Sequence, residues 1–203
     1  MVSCLSSDDK NELDIYYNNL NKIYLLGDEG VGKSNLINRL LGIDFRKNKN
    51  IRKGIFSDIL KISDKFSIIL KTICDTNDYR YTKKIRNDIQ EVKGIIVVFS
   101  LIDKNSFEKA KNLISFILEY ANKEEVHIIL VGNKSDLVKD EESKFDLSEI
   151  TEILIQIPNS CYYEISCFNK SNIDKLKKEI LNLDFEDEIY LSYREGIDRD
   201  GCN

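Results

Sequence analysis

Six short apolar runs, separated by amphipathic stretches, narrow the fold before any motif is considered. The runs are KIYLL (22–26), IFSDILKI (55–62), FSIILKTIC (66–74), GIIVVFS (94–100), VHIILVG (126–132) and CYYEI (161–165). Helical patterns lie near 33–41, 82–92, 105–121, 146–157 and 173–183. Ile85, Ile89 and Val92 mark one face of the second pattern; Leu113, Ile117 and Tyr120 mark one face of the third. SDK (63–65) is short enough to join the second and third runs as an antiparallel hairpin. The other runs are separated by helices, so their strands join through crossovers into a mostly parallel sheet. IIVVF and HIILV are apolar without alternation, as strands covered on both faces must be. The only proline, Pro158, closes the fourth helix.

The first and last stretches do not share this pattern. Residues 1–20 read as an N-terminal extension. Its Ser6 and Ser7 resemble caps, and Leu13, Tyr16, Tyr17 and Leu20 fall at roughly helical spacing, so a docking helix and a loose arm are both open. Residues 21–183 make one domain, and the acidic stretch 184–203 reads as a flexible tail. A net charge of −5 argues against a general nucleic-acid binder. No apolar run approaches the ~18–20 residues of a membrane span, and the start lacks a signal peptide's pattern. Cys74, Cys161 and Cys167 lie in or beside apolar runs and read as reduced, packed thiols of a cytosolic protein. His127, the only histidine, sits in a strand pattern and reads as structural.

The chemistry begins directly after the first run. GDEGVGKS (27–34) fits Gly-x-x-x-x-Gly-Lys-Ser between a strand and a helix, the context of a phosphate-binding loop. The glycines allow backbone N–H groups to turn inward around phosphate oxygens, and the helix that follows adds its positive end. Lys33 is expected to reach the β and γ phosphates, and Ser34 to ligate Mg²⁺. Asp75 ends the third run, where such proteins hold Mg²⁺ through a carboxylate.

NKSD (133–136), after the fifth run, points to the base. The Asp136 carboxylate can accept both N1–H and the 2-amino N–H of guanine; adenine presents an acceptor there and no amino group. A site built around substrate N–H groups rejects a base that lacks them, so this motif argues for GTP and GDP over ATP. The Lys134 stem would lie along the base plane. EISC after the last run supplies Ser166 and the backbone N–H of Cys167, placed to support Asp136 and the guanine O6.

With GDEGVGKS, CDT, VGNKSD and EISC in this order, the chain resembles the Ras superfamily of small GTPases over about 22–183. The resemblance implies a P-loop NTPase of the α/β class, with a Ras-like six-stranded, mostly parallel sheet flanked by about five helices. It also implies GTP/GDP and Mg²⁺ as cofactors and two switch loops that report the γ-phosphate. Effectors or regulators would then engage 46–58 and 76–92. The expected phosphate-side contacts are Gly27, Asp28, Glu29, Gly30, Val31, Gly32, Lys33, Ser34 and Asn35. The base side takes Asn133, Lys134, Asp136, Leu137, Ser166 and Cys167. Phe45 falls where the family keeps an aromatic against the guanine, and it reads equally well as a helix-end hydrophobe.

The switch segments depart from that pattern. No Thr occurs between Lys33 and Thr72, and ungapped counting puts Arg52 in the slot of the family's Mg²⁺-closing Thr, followed by Gly54. Where the family reads Asp-x-x-Gly-Gln, this chain has Asp75-Thr76-Asn77-Asp78-Tyr79, so Tyr79 replaces the water-orienting glutamine. Glu29 stands where the family needs a very small residue. Like charges ~5 Å apart at an effective dielectric of about 20 cost around 3 kcal/mol, so a carboxylate at position 29 or 78 opposes the γ-phosphate unless it turns outward. The expected enzyme is a GTPase with a low intrinsic rate and a catalytic set of Lys33, Arg52 and Tyr79. Arg52 would act as a finger in cis, against the plainer reading of RKNKNIRK (46–53) as a solvated basic loop. The same loop could dock on an acidic partner or an anionic membrane, which suits a cytoplasmic protein peripheral to the cytosolic face of an organelle.

Within the superfamily, SLIDKNSFEKAKNLI resembles Rab and Ras proteins, whereas GDEGVGKSNLI, ICDT without Gly-Gln, and IILVGNKSDLV resemble the N-terminal GTPase domain of Miro. Miro's EF-hands, second GTPase domain and membrane helix have no counterpart in these 203 residues, and DRDG (198–201) lacks the ligand spacing of a Ca²⁺ loop. Cys202, next to last, fits neither a prenylated cysteine pair nor a C-a-a-X box. The function expected is a slow switch in membrane traffic or signalling; the alternative is a pseudo-GTPase that holds one nucleotide without turnover.

Overall fold

The structure is a computed structural model that describes residues 21–45, 55–61, 67–73, 86, 89, 92, 94–122, 124–139 and 147–183. The N-terminal extension, the basic loop 46–53, the 75–79 segment, the 63–65 turn and the acidic tail lie outside the described residues, as do Cys74 and Cys202.

All six apolar runs form strands: β1 (Asn21–Gly27), β2 (Ile55–Lys61), β3 (Ser67–Ile73), β4 (Gly94–Ser100), β5 (His127–Asn133) and β6 (Ser160–Glu164). They build one sheet in the order β2-β3-β1-β4-β5-β6. β2 runs antiparallel to β3, from Ile55 opposite Ile73 to Lys61 opposite Ser67, as a hairpin requires, and the residues that join them lie outside the described ones. Every other pairing is parallel. Four helices flank the sheet among the described residues: α1 (Lys33–Leu40), α2 (Lys104–Tyr120), α3 (Leu147–Ile155) and α4 (Ile173–Asn182). Of the expected helix 82–92, only Arg86, Ile89 and Val92 are described, with Ile89 and Val92 buried.

The unbroken apolar strands make sense once the two faces are separated. Ile23, Leu25, Ile96, Val98, Ile129 and Val131 point to one core, roofed by Leu36 and Leu40 of α1 and Leu176 and Ile180 of α4. Tyr24, Leu26, Ile95, Val97, Phe99, Ile128 and Leu130 point to the other, under α2. Each buried Leu- or Ile-sized side chain contributes about 1.5–3 kcal/mol, so β4, buried at all seven positions, holds the two layers together.

The apolar face of α2 is wider than the three residues expected. Phe107, Ala110, Ile114 and Ile117 are buried in the core, and Leu113 and Tyr120 pack against the same core at its half-buried flank. The helix has apolar residues over a wide arc, and its start decides which part turns inward. Asp103 Oδ1 caps it by accepting from the N–H groups of Asn105 at 3.0 Å and Ser106 at 3.3 Å. The buried Ser106 hydroxyl accepts from Ser100 N–H at 2.9 Å, which fastens the first turn to the end of β4. His127 opens β5, half-buried, at the end of that strand away from Asn133.

Candidate functional site

The loop after β1 can be followed atom by atom. Gly27 has φ +146° and its absent Cβ would collide with the Val98 carbonyl of the neighbouring strand. Gly32 has φ +103° and forms the N-cap of α1; a Cβ there would run into Asn133 Nδ2. Neither position accepts another residue without moving the loop. Gly32 offers no side-chain cap to α1 and no acidic residue occupies its first turn, so nothing acidic there offsets the positive end of the helix dipole. Lys33, 5% exposed, folds back over the loop and donates to the carbonyls of Gly27 at 2.7 Å and Asp28 at 2.6 Å. Val31 plugs into the first core. Ser34 and Asn35 are half-buried in the first turn of α1. Glu29 is exposed, and the Asp28 carboxylate turns to α2, where Lys109 Nζ lies 2.8 Å from its Oδ2.

The opposite wall comes from the ends of β5 and β6. Asn133, 2% exposed, reaches both ways: its Nδ2 donates to the Val31 carbonyl at 2.8 Å and its Oδ1 accepts from Cys167 N–H at 3.2 Å. Lys134 then takes a left-handed conformation, φ +69°, that lifts the chain into the 3₁₀ turn Ser135–Leu137. Ser135 N–H donates to the Ile165 carbonyl at 3.1 Å, which sets this turn beside the loop after β6. There the Ser166 hydroxyl accepts from the N–H groups of Phe168 and Asn169, each at 3.2 Å. Its own proton is thereby aimed at Asp136 Oδ1, to which it donates. A carboxylate held by one oxygen in this way keeps the other for a ligand. Cys167 is buried, and burial pushes its thiol up to about 12, so it is a packing group and not a nucleophile.

Between the walls lies a cleft of about 600 Å³. Gly30, Gly32 and Asn35 line its phosphate side; Asn133, Lys134, Asp136, Leu137 and Cys167 line the other. Phe45 and Phe168 stand at its edge, ring centroids 5.5 Å apart and nearly perpendicular at 86°. Phe45 is half-buried against the first core, which joins its two readings, a helix-end hydrophobe that also lines the cleft. Arg52, Asp75 and Tyr79 lie outside the described residues, and no cluster of three or more His, Cys, Asp or Glu side chains suited to a metal occurs among the described ones.

Two contributors escape sequence reasoning. Phe168 is 63% exposed at the cleft, and its only signal is an aromatic ring following Ser-Cys in a polar loop. Arg39 of α1 donates from Nε to the Cys167 carbonyl at 2.7 Å and from Nη2 to the Phe168 carbonyl at 3.1 Å. Its Nη1 pairs with Asp44 at 3.0 Å, and Lys170 approaches the same carboxylate oxygen at 3.4 Å. Arg39 thus ties the helix that starts at the glycine loop to the loop that supports Asp136.

Comparison with known proteins places the fold in a family. The chain matches the Ras family across residues 22–183. It is 29% identical over 168 residues to the Ras-related protein SEC4 of Candida albicans, covering 82% of this chain and 78% of that protein. It is 30% identical over 160 residues to the Ras-related protein RIC1 of Oryza sativa subsp. japonica, covering 78% and 77%. With the Ras-related protein RabF1 of Dictyostelium discoideum it shares 28% over 188 residues, 92% of this chain and 96% of that one. These relatives support the Rab/Ras branch of the two set out above. From the family match over most of its length, the chain belongs to the Ras family of small GTPases, as a divergent Rab/Ras-like member of a family whose proteins in general bind GTP and GDP with Mg²⁺ and hydrolyse GTP.

Proposed function

We propose that this chain binds GTP and GDP with Mg²⁺ and works as a slow switch with impaired intrinsic hydrolysis, in membrane traffic or signalling. The observation that carries the reading is the Asp136 carboxylate, oriented by Ser166 beside a cleft that also has an uncapped, glycine-led helix start. The donor and acceptor set fits a guanine nucleotide: an acceptor for N1–H and the amino group, the Cys167 region for O6, and loop amides with Lys33 for the phosphates. Ser34 and Asp75 would hold the metal ion. The low rate follows from the sequence of the second switch, where Asp78 and Tyr79 replace glycine and glutamine. Effectors or regulators would engage 46–58 and 76–92, and a peripheral position on the cytosolic face of an organelle suits the basic loop. Residues 21–183 are the folding unit in this reading, between an extension and a tail.

Thermal-shift titration with GTP, GDP and ATP tests it. Stabilisation by both guanine nucleotides, absent with ATP and abolished in Asp136→Ala, is the expected result; equal stabilisation by ATP would refute the base assignment. The same Asp78 and Tyr79 substitutions favour a second reading, a pseudo-GTPase. Preloaded GTP left intact over hours in single turnover would select it, whereas GDP formation lost in Lys33→Ala would select the slow switch.

A further inference from the structure

The glycine loop of this chain carries two adjacent carboxylates, Asp28 and Glu29, on the segment that would wrap the most highly charged part of a nucleotide. A second cation meets the first of them from outside the loop. Lys109 Nζ lies 2.8 Å from Asp28 Oδ2, with the Asp28 side chain 15% exposed and that of Lys109 39% exposed. Lys109 is not carried on a wandering surface segment. It stands in the second turn of α2, whose start is capped by Asp103 and pinned to β4 through Ser106. The hydrogen bond from Lys109 to Asp28 and the charge of that carboxylate hold the ammonium above its ordinary range, with smaller contributions from Asp103 and Glu29. The Lys109 ammonium therefore pairs with the Asp28 carboxylate, while the Lys33 ammonium is directed to the loop interior.

We propose that Lys109 is a specificity-determining counter-cation: by drawing off and neutralising Asp28, and so halving the negative charge of the loop that also carries Glu29, it lets an acidic glycine loop accept a γ-phosphate and sets the preference for GTP over GDP. The inference rests on the guanine-nucleotide reading above and adds to it a residue 81 positions away in sequence from the loop it serves. Its logic is differential. Both nucleotides place α and β phosphates in the loop, but only GTP adds the terminal charge that two uncompensated carboxylates would oppose. Removing the ammonium should therefore weaken GTP more than GDP. A residue that merely supported the fold would weaken both alike.

The test is equilibrium binding of fluorescent GDP and of a fluorescent non-hydrolysable GTP analogue to the full chain, at two salt concentrations. Lys109→Ala should lower affinity for the GTP analogue relative to GDP about three- to tenfold, as expected for a partly solvent-exposed charge acting over a few ångströms. The difference should shrink at high salt. Lys109→Arg should keep the wild-type ratio, Lys109→Glu should enlarge the loss, and adding Glu29→Gln to Lys109→Ala should restore part of it. An unchanged ratio in Lys109→Ala and Lys109→Glu, or equal loss for both nucleotides, would overturn the inference and leave the functional reading intact. A wild-type chain that bound neither nucleotide would overturn both.

Discussion

Asn133→Ala offers the most direct test of how the two halves of the cleft are joined. The side chain is 2% exposed and makes one bond to each wall, Nδ2 to the Val31 carbonyl at 2.8 Å and Oδ1 from Cys167 N–H at 3.2 Å. Alanine removes both and leaves a buried acceptor and a buried donor without these partners. Each orphaned group costs about 1–3 kcal/mol, so with some relaxation the expected loss is about 2–4 kcal/mol. For a domain of this size 1 kcal/mol corresponds to roughly 2–4 °C, which puts the fall in Tm at about 5–15 °C. Circular dichroism melts of the nucleotide-free chain read this directly. Hydrogen exchange adds a local readout, because the Cys167 amide should lose protection first. Asn133→Asp separates the two bonds: its carboxylate still accepts from Cys167 N–H but faces the Val31 carbonyl without a proton, so exchange should rise in the glycine loop and less at Cys167. A Tm for Asn133→Ala within about 2 °C of wild type would refute the claim that this side chain bridges the walls.

Three further outcomes follow from the same coordinates. Arg39→Met removes two bonds from a charged donor to the carbonyls of Cys167 and Phe168, and urea unfolding should show a loss of about 1.5–3 kcal/mol, whereas Asp44→Ala should move stability little because that carboxylate is 88% exposed. Phe168→Ala should speed release of fluorescent GDP roughly tenfold if its ring stacks on the base, and unchanged release would remove it from the site. Stability should fall as pH rises from about 9 to about 12. The half-buried Cys161 and buried Cys167 thiols, with an ordinary value of 9.0, and the Tyr163 phenol, ordinarily 10.0, are each pushed up to about 12 chiefly by burial, so the unfolded chain releases protons there that the folded chain retains. Urea midpoints that held constant from pH 8 to 11 would contradict that assignment.

Much of this architecture is legible in the sequence because the parallel strands are covered on both faces. Runs such as GIIVVFS admit few other readings, and a glycine loop between a strand and a helix reports its own geometry. Asn133, Asp136, Ser166 and Cys167 could be named as one group because each lies at a strand end or within three residues after it. Elsewhere the signal fails for identifiable reasons. Ala110 is fully buried and Leu113 only partly, since the Asp103 cap and the Ser106 bolt choose the innermost arc of α2 from a helix apolar over a wide angle. Arg39 reads as an ordinary helix arginine until it is seen to meet a carbonyl 128 residues away. The Asp28–Lys109 pair is similar: two common residue types, in no motif together, joined only by the fold. The expectation of a buried-strand histidine gives a half-buried residue at a strand start, because a strand's first position lies at the rim of the sheet.

The position of β1 has a consequence for how the chain is made. It is the earliest of the six strands in sequence, yet it lies inside the sheet between β3 and β4, with Leu25 opposite Thr72 on one side and Ile96 on the other. During synthesis the apolar stretch Ile23–Leu26 leaves the ribosome with neither neighbour yet made. At roughly 5–20 residues per second the wait for both lasts seconds, long compared with hydrophobic collapse. Nascent chains of this protein should therefore carry an exposed sticky segment until β4 emerges, and arrest of translation before residue 94 should leave them bound to chaperones that chains stalled after β5 no longer need.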